Sequence, residues 1–492
     1  MAPRYSNYRR RFTADTIMKR ERDNFMLEFQ PISEQHAPLL RKYYSQCTYR
    51  LCEYSWGVKL MWRDHWKPEY AESHGCLVVL NHSGHFGLMF DFPVPLPGEG
   101  DVDAALDDID AWCVEKGVAP AFGVVPETER ERLMRRYPYT TVDSVRLWQD
   151  YFYRAVDLSG FAGRHYSGQR NHINKFHKLY PDAVYRELTP EDHDGVEDFW
   201  QEFHKVFNKD NAEAKMEVCY ARRIMEQAGQ EWAKTGCVVV DGKIIAIALA
   251  EVCGDTLVCH IEKALPQYEG VYPFMVQSFA AAHSGGLIWI NREDDAGDRG
   301  LRTSKLQYLP AFLGAKVRVL ARNELSGLDS VPALRTERLV LDGFRDEDMA
   351  AYNRLCLDDG RNCWWGYDYR SDLTGELKEN YFLDVVRQDF KKKLALNFAV
   401  RLDGRLIGEV VLYRFDFKGG AELGCRILPE YAGNGYGAEA YRRAAEWCLY
   451  SLGLYCLRGK CYRENEASKK MLESCMRHAG EDETFFYFEK KV

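Results

Sequence analysis

Three segments of the chain open with the same pattern, and this repetition constrains the fold more than any other feature. Each segment reads as a short alternating strand, then a polar turn, then an amphipathic helix. The turns carry Ser, Thr or Asp with acidic residues close behind, which favours helix starts. The segments are Met26 to Cys47, Val184 to Phe207 and Arg338 to Leu357. Their spacing of roughly 150 to 160 residues is a domain size, so we expect one α/β unit used three times.

Each unit also contains a pair of strands around a turn. Asp241-Gly242 and Asp403-Gly404 separate β-branched runs and predict tight hairpins in the second and third units. The first unit has a looser version in GCLVVLNHSGHFGLMFDF. The order strand, helix, antiparallel strands, then a strand feeding a helix predicts a mixed α/β (α+β) sheet in each unit. This order is common, so it does not identify a fold by itself.

Composition and linker signals set the boundaries that we expect. They are 1–23 as a basic extension, 24–182 and 183–323 as the first two units, 324–335 as a linker and 336–492 as the third unit. A net charge of −8 argues against a global basic field for nucleic acids, so any tRNA contact would be local. Fifteen scattered cysteines without paired C-x-x-C motifs predict no metal site and a reducing, cytoplasmic location. We find no signal peptide and no run of 18 apolar residues, which predicts a soluble protein.

The third unit contains a glycine-rich turn between a strand and a strong helix. Gly433, Gly435 and Gly437 allow backbone amides to converge at a helix start, where they can cradle a pyrophosphate. The residues expected to bind the cofactor here are Ile427, Leu428, Gly433, Asn434, Gly435, Tyr436, Gly437 and Ala438. A glycine triplet alone is weakly specific, so its context matters.

That context resembles the acyl-CoA-binding motif of the GNAT acetyltransferases, in particular the ribosomal-protein-alanine acetyltransferase-like branch. The family loop is Gln/Arg-x-x-Gly-x-Gly/Ala, and this chain has Ala432 at the first position. Asn465-Glu-Ala-Ser468 followed by Met471-Leu472 resembles the family element beside the CoA arm, and LRTERL resembles the start of that branch. The resemblance covers about residues 332–492. It implies acetyl transfer from acetyl-CoA to an amine, with Asn465 and Ser468 near the cofactor.

Such a transfer needs a neutral amine and a proton donor for the departing thiolate. Glu422, on the strand before the loop, is the candidate base, and a surface strand residue is the alternative. Tyr462 or Ser468 could protonate the thiolate, while a strand amide would hold the oxyanion. Aromatic residues precede this region and could shape an acceptor pocket, or else pack in a core. They are Trp364, Trp365 and Tyr367.

Two charged segments stand out in the first two units. GRHYSGQRNHINKFHK interleaves bases with aromatics, as an RNA- or phosphate-contacting helix would, although a solvated basic face is the simpler interpretation. INREDDAGDRGLRTSK follows an apolar strand and offers both acids and bases to a charged substrate, or else forms a self-paired lid. The candidate substrate-binding residues are Arg164, Arg170, Asn171, Asn291, Arg292, Asp294, Arg302 and Lys305. Asp295 is a candidate catalytic carboxylate, and Glu262 is a second one that could engage an α-ammonium group.

Together these two segments resemble the C-terminal catalytic domain of phosphatidylglycerol lysyltransferases and its freestanding bacterial relatives. The matched pattern runs through Gly163, Arg164, Arg170, Asn171, Ile173 and Phe176, and then from Asn291 to Lys305. The resemblance covers about residues 24–323. It implies a tandem GNAT-like fold, an aminoacyl-tRNA donor and a lipid hydroxyl acceptor. No glycine loop for CoA is recognisable in these two units, which agrees with a donor other than CoA.

We therefore expect a soluble bifunctional acyltransferase: a tandem aminoacyltransferase-like pair followed by a CoA-dependent N-acetyltransferase. Its acceptor would be a small-molecule, peptide or lipid-headgroup amine. One alternative is a single acetyltransferase that uses the tandem part as a substrate-binding module. Another is an antibiotic- or toxin-modifying N-acetyltransferase, since such enzymes share this fold.

Overall fold

A computed structural model describes residues 27–84, 87–144, 146–206, 212–365 and 375–492. The expected basic extension (1–23) and Tyr367 lie outside the described residues. Within them, no helix combines the length and the apolar character that crossing a membrane requires.

The described strands form three mixed sheets with helices packed on them. The first sheet has the order β1-β2-β3-β4-β6-β15-β7, with β5 on β3. Its strands are β1 (Gln30–Pro31), β2 (Glu69–Ser73), β3 (Cys76–Ser83), β4 (Gly87–Asp91), β5 (Val94–Pro95), β6 (Ala121–Pro126), β7 (Tyr139–Asp143) and β15 (Lys316–Arg322). The helices of this part are α1 (Ala37–Tyr44), α2 (Trp56–Met61), α3 (Arg63–Trp66), α4 (Val102–Lys116) and α5 (Arg130–Arg136).

The second sheet has the order β14-β8-β13-β12-β11-β10-β9. Its strands are β8 (Asp150–Arg154), β9 (Val184–Arg186), β10 (Lys234–Val240), β11 (Lys243–Cys253), β12 (Thr256–Ala264), β13 (Trp289–Asn291) and β14 (Phe312–Gly314). Its helices are α6 (Ala155–Gly160), α7 (Ser167–Leu179), α8 (His193–Val206), α9 (Ala212–Met225), α10 (Val271–His283) and α11 (Arg299–Leu306). The central strand β11 is buried along nearly its whole length, and both α8 and α10 pack against it.

The third sheet has the order β16-β17-β18-β19-β20-β21-β23-β22. Its strands are β16 (Leu334–Arg335), β17 (Leu339–Asp342), β18 (Leu396–Leu402), β19 (Arg405–Tyr413), β20 (Gly420–Ile427), β21 (Cys456–Tyr462), β22 (Arg477–Glu481) and β23 (Phe485–Lys491). Its helices are α12 (Met349–Leu357), α13 (Asp359–Asn362), α14 (Tyr381–Lys391), α15 (Tyr436–Trp447) and α16 (Glu466–Glu473).

The same crossover occurs once in each sheet. Among the described strands, the parallel pairs are β4 with β6, β12 with β13, and β20 with β21. The connecting helices are α4, α10 and α15, respectively. All other pairs between described strands are antiparallel. The predicted fold class, with three related units of mixed α/β structure, is confirmed.

The predicted hairpin turns are present. Asp241-Gly242 and Asp403-Gly404 both have φ values of 48° and 79°, which is the type I′ geometry that Asp-Gly favours. His74-Gly75 makes an equivalent turn between β2 and β3, with φ values of 46° and 70°. The sequence did not single out this turn, because His is a less common residue at the first position.

Strand pairing crosses the boundary that we expected at residues 182/183. β8, α6 and α7 precede that boundary but belong to the second sheet and its helices, whereas β15 follows it and lies in the first sheet. The expected linker 324–335 also has structure. It contains a 3-10 turn (Glu324–Gly327) with buried Leu325, and it ends in β16 of the third sheet. The two tandem units are therefore interleaved through their strands.

A buried ionic network holds the interleaved strands together. Lys316 on β15 donates to Asp150 on β8 at 2.8 Å and to Glu53 in the loop before α2 at 2.5 Å. Asn291 on β13 donates to the other oxygen of Asp150, and the amide of Cys52 does the same. Burial raises the pKa of Glu53, and Lys316 opposes that shift. One ammonium group thus joins the first sheet to the second.

We predict that Lys316→Met lowers the free energy of unfolding by about 3–5 kcal/mol, because it leaves the fully buried Asp150 and the half-buried Glu53 without their cation. Urea denaturation with circular dichroism measures this loss. The control is Lys243→Met, whose partner Glu202 is partly exposed and whose loss should cost less than about 1 kcal/mol. Equal losses for the two variants would contradict the role of Lys316.

Candidate active sites

In the third sheet, strands β20 and β21 separate next to the glycine loop. β20 and β21 pair in parallel from Gly420 to Glu422 on one strand, but both strands continue beyond that point without pairing to each other. β20 then leads through the loop into α15, whose N-cap is Gly435 with φ 79°. Gly433 has φ 80°, a region that side chains rarely adopt. The chain therefore follows one path from the gap between β20 and β21 to the first turn of α15, whose backbone amides have no partner within the helix.

The residues expected to bind a cofactor lie along this path. Ile427 ends β20, Leu428 follows it, and Asn434 lies in the loop. Tyr436, Gly437 and Ala438 form the first turn of α15. A Cβ at Gly437 would contact Ile427, Met471 and Cys425, so a larger residue there would fill the opening. The fold thus brings the predicted cradle residues together.

Arg338 lies beside the cradle, and the sequence reasoning did not select it. Its Nη1 donates to the carbonyl of Asn434 at 3.1 Å, and its guanidinium lies 4.6 Å from the centre of the Tyr436 ring. It also pairs with Glu439 on α15 at 2.6 Å. Arg338 belongs to the LRTERL segment, where we saw a family resemblance but assigned no role. It supplies positive charge next to a loop that has Ala432 in the usual basic position.

Glu422 retains an oxygen atom with no hydrogen bond. It lies at the point where β20 and β21 separate, opposite Arg458. Its nearest cation is Arg414, 3.4 Å away, because Arg458 is bound to Asp416 at 2.6 Å. The Oε2 atom of Glu422 is buried and accepts no hydrogen bond from the described residues. Such a carboxylate can accept a proton.

The other candidates of the third unit divide into a cap and an aromatic group. Asn465 caps α16, with Oδ1 accepting from the amide of Ser468 at 3.1 Å. Tyr462 ends β21, and its ring centre lies 5.8 Å from that of Trp364. The predicted aromatic residue and the predicted proton donor are therefore neighbours.

Trp365 packs against the neighbouring strand, β20. Its ring packs against Gly424, and Arg426 lies 4.5 Å from the ring centre. Arg426 is held by buried Glu409 at 2.5 Å, and Glu409 also accepts from Tyr352. We did not predict this buried ion pair, because its two members are distant in sequence.

The second sheet has a comparable gap between two parallel strands, but different residues line it. β12 and β13 pair in parallel up to Val258 and Asn291, and β12 then continues to Ala264 paired with β11 but no longer with β13. Arg292 bridges the gap to Glu262 at 2.6 Å. Its guanidinium lies 4.5 Å from the ring centre of Tyr308, and it is 6% exposed. The Nη1 atom is buried and has no hydrogen-bond partner among the described residues.

Most of the opening loop is paired internally. Asp295 is fully buried and accepts from Arg302 at 2.8 Å, Tyr151 at 2.6 Å and Arg146 at 3.3 Å. Although burial opposes it, hydrogen bonding to Arg302 holds the pKa of Asp295 well below its usual range. Asn291 is bound to Asp150 and to the carbonyl of Arg50. This geometry favours an organising role for these residues.

The pKa values of Asp294 and Lys305 shift so as to favour the neutral form of each side chain, unlike that of Asp295. Burial raises the pKa of Asp294 to about 6, against the effect of Lys316. Burial lowers the pKa of Lys305, whose Nζ donates to the carbonyls of Arg292 and Asp294. Shifts of this kind are common at active sites, although structural networks also produce them.

The basic helix α7 covers the start of α10. A Cβ at Gly270, the N-cap of α10, would lie 2.5 Å from the carbonyl of His172 and 2.9 Å from Phe176. Lys175 pairs with Glu269 at 2.6 Å. The helix start that is open in the third unit is therefore occupied by protein here.

The predicted residues of the α7 region differ in their surroundings. Arg164 and Asn171 are exposed. Arg170 donates to the carbonyls of Phe161 and Gly163, and so fastens the preceding turn.

His260 was missed by the sequence reasoning. It is fully buried on β12, between Glu251 at 3.0 Å and Glu293 at 2.9 Å. Burial disfavours its charged form, but hydrogen bonds to the two carboxylates raise its pKa to about 9. Glu251 also accepts from the amide of Gly57. A lone histidine in an apolar strand carries no sequence signal for such a clamp.

Comparison with known proteins also separates the tandem part from the third unit. The family model described as "Phosphatidylglycerol lysyltransferase, C-terminal" matches residues 44–316, and the one described as "Acetyltransferase (GNAT) domain" matches residues 338–475. A conserved protein of unknown function from Bacteroides thetaiotaomicron VPI-5482 has a crystal structure that is 26% identical, with a TM-score of 0.55. That match covers 60% of this chain and 99% of the other.

Two acetyltransferases are each similar to about a third of the chain. The uncharacterized N-acetyltransferase YoaA of Bacillus subtilis strain 168 is 25% identical over 142 residues, which is 29% of this chain and 80% of that protein. An acetyltransferase of the GNAT family from Bacillus anthracis is 21% identical, with a TM-score of 0.28, covering 32% of this chain and 98% of the other. Because the first family model spans more than half of the sequence, it shows the family. The chain is an acyltransferase that belongs to the phosphatidylglycerol lysyltransferase C-terminal family and carries a GNAT acetyltransferase domain after its tandem pair.

Proposed function

We propose that the chain is a bifunctional acyltransferase. Its third unit transfers an acetyl group from acetyl-CoA to an amine, and its tandem part transfers an aminoacyl group from aminoacyl-tRNA. The observation that carries this proposal is the contrast between two equivalent crossovers. The helix start at Gly435 is open, whereas the one at Gly270 is covered by α7.

The third unit fits acetyl-CoA as its donor. The first-turn amides of α15 would hold the pyrophosphate, since helix N-termini favour anions. Arg338 lies next to this turn and adds a positive charge. The separation of β20 from β21 leaves room for an extended acyl arm between strands, with the cap of α16 beside it.

The acid–base roles follow from the position of Glu422. An amine attacks the thioester carbonyl directly, and it must be neutral when it does so. The buried, unpartnered Oε2 of Glu422 would take the proton, directly or through a water molecule. An amide of β20 would stabilise the oxyanion, and Tyr462 or Ser468 would protonate the thiolate.

The acceptor side of the third unit is aromatic. The ring centres of Trp364 and Tyr462 lie 5.8 Å apart, and the Trp365 ring lies 4.5 Å from the Arg426 guanidinium on β20. These rings would enclose an amine-bearing group of a small molecule, a peptide or a lipid headgroup.

The tandem part would bind its substrate at Arg292. A buried guanidinium with a free Nη1 suits a carboxylate, phosphate or ester carbonyl. Glu262, beside it, offers a carboxylate to an α-ammonium group. The covered helix start at Gly270 supports a donor other than CoA.

One observation favours the alternative in which the tandem part only binds substrate. Asp295 and Asn291 use their hydrogen-bonding capacity within the protein. Calorimetry with acetyl-CoA and with aminoacyl-tRNA measures whether each donor binds, and so distinguishes the bifunctional enzyme from the single acetyltransferase. Two independent sites are expected for the bifunctional enzyme, and product formation from aminoacyl-tRNA is required in addition.

We predict that Gly435→Val abolishes acetyl-CoA binding, because a branched side chain at φ 79° distorts the cradle. Isothermal calorimetry measures the affinity. Gly404→Val is the matched control: it has the same φ of 79° and no atom near its Cβ, but it lies in the β18–β19 turn. Retained affinity in Gly435→Val would show that the cradle is assigned wrongly.

We predict that Glu422→Gln lowers kcat for acetyl transfer by roughly 10²-fold, since it removes the general base. The affinity for acetyl-CoA should not change. Steady-state kinetics with saturating acetyl-CoA provides the test. The exposed Glu430→Gln serves as the control. An unchanged kcat would exclude Glu422 as the base.

We predict that Arg292→Lys removes most aminoacyl transfer, by on the order of 10²-fold, because it keeps a cation beside Glu262 but loses the second arm of the guanidinium. Transfer from labelled aminoacyl-tRNA into cell-extract acceptors measures this loss. Acetyl-CoA binding and the unfolding midpoint should stay close to the parent values. Arg186→Lys, at an exposed pair with Asp192, is the control. Full transfer by Arg292→Lys would contradict the assignment.

A further inference from the structure

The tandem part and the third unit pack against each other. Asn323, which follows β15, donates to the carbonyl of Lys393, after α14, at 2.6 Å. The Nζ of Lys393 donates in turn to the carbonyl of Leu328. Leu325, in the turn after Asn323, is fully buried and belongs to a core that contains residues of both parts. The two proposed sites therefore lie in parts of the chain that share a core.

The proposed tandem reaction leaves a free amino group on its product. When an acceptor hydroxyl attacks the ester carbonyl of aminoacyl-tRNA, a new C–O bond forms, the bond to the tRNA breaks, and the tRNA hydroxyl takes the proton. The product is an aminoacyl ester. Glu262, which is 13% exposed beside Arg292, is the carboxylate proposed to engage the α-amino group as an ammonium ion. An acetylated nitrogen carries no charge, so acetylation has to follow this step.

The third unit needs an amine that loses its proton easily, because its proposed base, Glu422, is a carboxylate and carboxylates are weak bases. An α-amino group has a pKa of about 7.7–8.0, against about 10.4 for a lysine side chain. At about pH 7 the neutral form therefore makes up roughly one in ten α-amino groups, but only about one in 2,500 lysine side chains. An α-amino group is the better acceptor for this site.

The arginines on the acceptor side of the third unit are already paired. Three of them lie around Glu422 and Trp365, and each is bound to a carboxylate. The pairs are Arg414 with Glu422, Arg458 with Asp416, and Arg426 with Glu409. A free amino acid would bring a carboxylate to this site without a cation to receive it, which is unfavourable. An amino acid whose carboxyl group is esterified has no such charge.

We propose that the third unit acetylates the α-amino group of the aminoacyl ester that the tandem part makes. This inference rests on the proposed function, and it adds the order of the two reactions and the substrate of the second. The α-amine attacks the thioester carbonyl of acetyl-CoA, so that an N–C bond forms and the C–S bond breaks. The amine proton passes to Glu422, and the thiolate takes a proton from Tyr462 or Ser468. The products are an N-acetylaminoacyl ester and CoA.

Acetylation gives the sequence a direction. Return of the aminoacyl group to tRNA would require the ester to bind again at Arg292, with its α-ammonium group on Glu262. The acetylated product has no positive charge for this carboxylate. The finished ester is therefore a poor substrate for the reverse reaction.

A peptide N-terminus is the other acceptor with suitable chemistry. It also has an α-amino group beside an uncharged carbonyl. The ester is favoured because one chain carries both the tandem part that would make it and the acetyltransferase domain that would use it. The peptide is therefore tested as a competing acceptor.

Acetylation of four small amines by the full chain tests the choice of substrate. The probes are L-alanine ethyl ester, L-alanine, Nα-acetyl-lysine methyl ester and trialanine amide. The ester of alanine should have a kcat/KM at least about tenfold above those of free alanine and of the lysine side chain. Equal use of free alanine or of the side-chain amine would overturn the proposal. A strong preference for trialanine amide would overturn it in favour of a peptide acceptor.

Asp416→Asn tests the role of the paired arginines. It keeps the oxygen that accepts from the amides of Lys418 and Gly420, and it removes the charge that binds Arg458. Arg458, opposite Glu422, can then receive a carboxylate, so the preference for the ester over free alanine should fall roughly tenfold. Asp346→Asn, at an exposed pair with Arg387, is the control. An unchanged preference in a folded variant would overturn this explanation of ester selectivity.

The order of the reactions is tested with labelled aminoacyl-tRNA, acetyl-CoA and cell-extract acceptors. Mass spectrometry should find an N-acetylaminoacyl product with the parent chain. Glu422→Gln should accumulate the same product with a free amine, and Arg292→Lys should give neither. N-acetylaminoacyl-tRNA should not serve as a donor.

The outcomes separate this inference from the proposed function. Aminoacyl transfer together with acetylation of another amine, but without the N-acetylaminoacyl product, would overturn the sequence and leave both activities in place. Use of N-acetylaminoacyl-tRNA as a donor would overturn the order. If the parent chain transfers no aminoacyl group at all, the proposed function of the tandem part fails instead.

Discussion

The Lys316 ammonium group is the contact on which the arrangement of the tandem part depends. It lies at the junction of β15, β8 and the loop before α2, and it is the common cation for Asp150 and Glu53. Asp150 in turn receives Asn291, which ends β13. The position of Arg292, the next residue, therefore follows from a buried charge on another sheet. Cys52, Glu53 and Asp150 bring three potential metal ligands together, but the Lys316 ammonium already supplies a cation to the two carboxylates.

The contrast between the two strand openings explains what could be predicted from the sequence. The glycine turn at Gly433 to Gly437 is local, so its backbone requirements are visible in consecutive residues. The hairpins at Asp241-Gly242 and Asp403-Gly404 are local for the same reason. The cover that α7 places over Gly270 is not visible, because nearly a hundred residues separate the two elements in sequence. The crossing of β8 and β15 between sheets is likewise a product of long-range pairing.

The charged loop shows the same limit within a single motif. Its residue types indicated a charged site, but not which side chains would turn inward. Asp295 accepts hydrogen bonds from Arg302, Tyr151 and Arg146, whereas the Nη1 of Arg292 has no hydrogen-bond partner among the described residues. Both residues belong to the same motif, and only the positions of Tyr151 and Glu262 on neighbouring strands distinguish them. The pairing of Asp295 agrees with the interpretation of this loop as a self-paired lid, whereas its interpretation as a substrate site stays a prediction that rests on Arg292.

One contact between the tandem part and the third unit involves the turn before β20, the strand that carries Glu422. Lys418, in the turn before β20, pairs with Asp110 on α4 at 2.6 Å. Asp416 in the same turn accepts from the amides of Lys418 and Gly420, and binds Arg458, which lies opposite Glu422. Arg458 is thus paired with Asp416, while Glu422 has Arg414 as its nearest cation and keeps Oε2 without a hydrogen bond from the described residues. The turn that contacts α4 of the tandem part therefore also positions Arg458, the register partner of the proposed base.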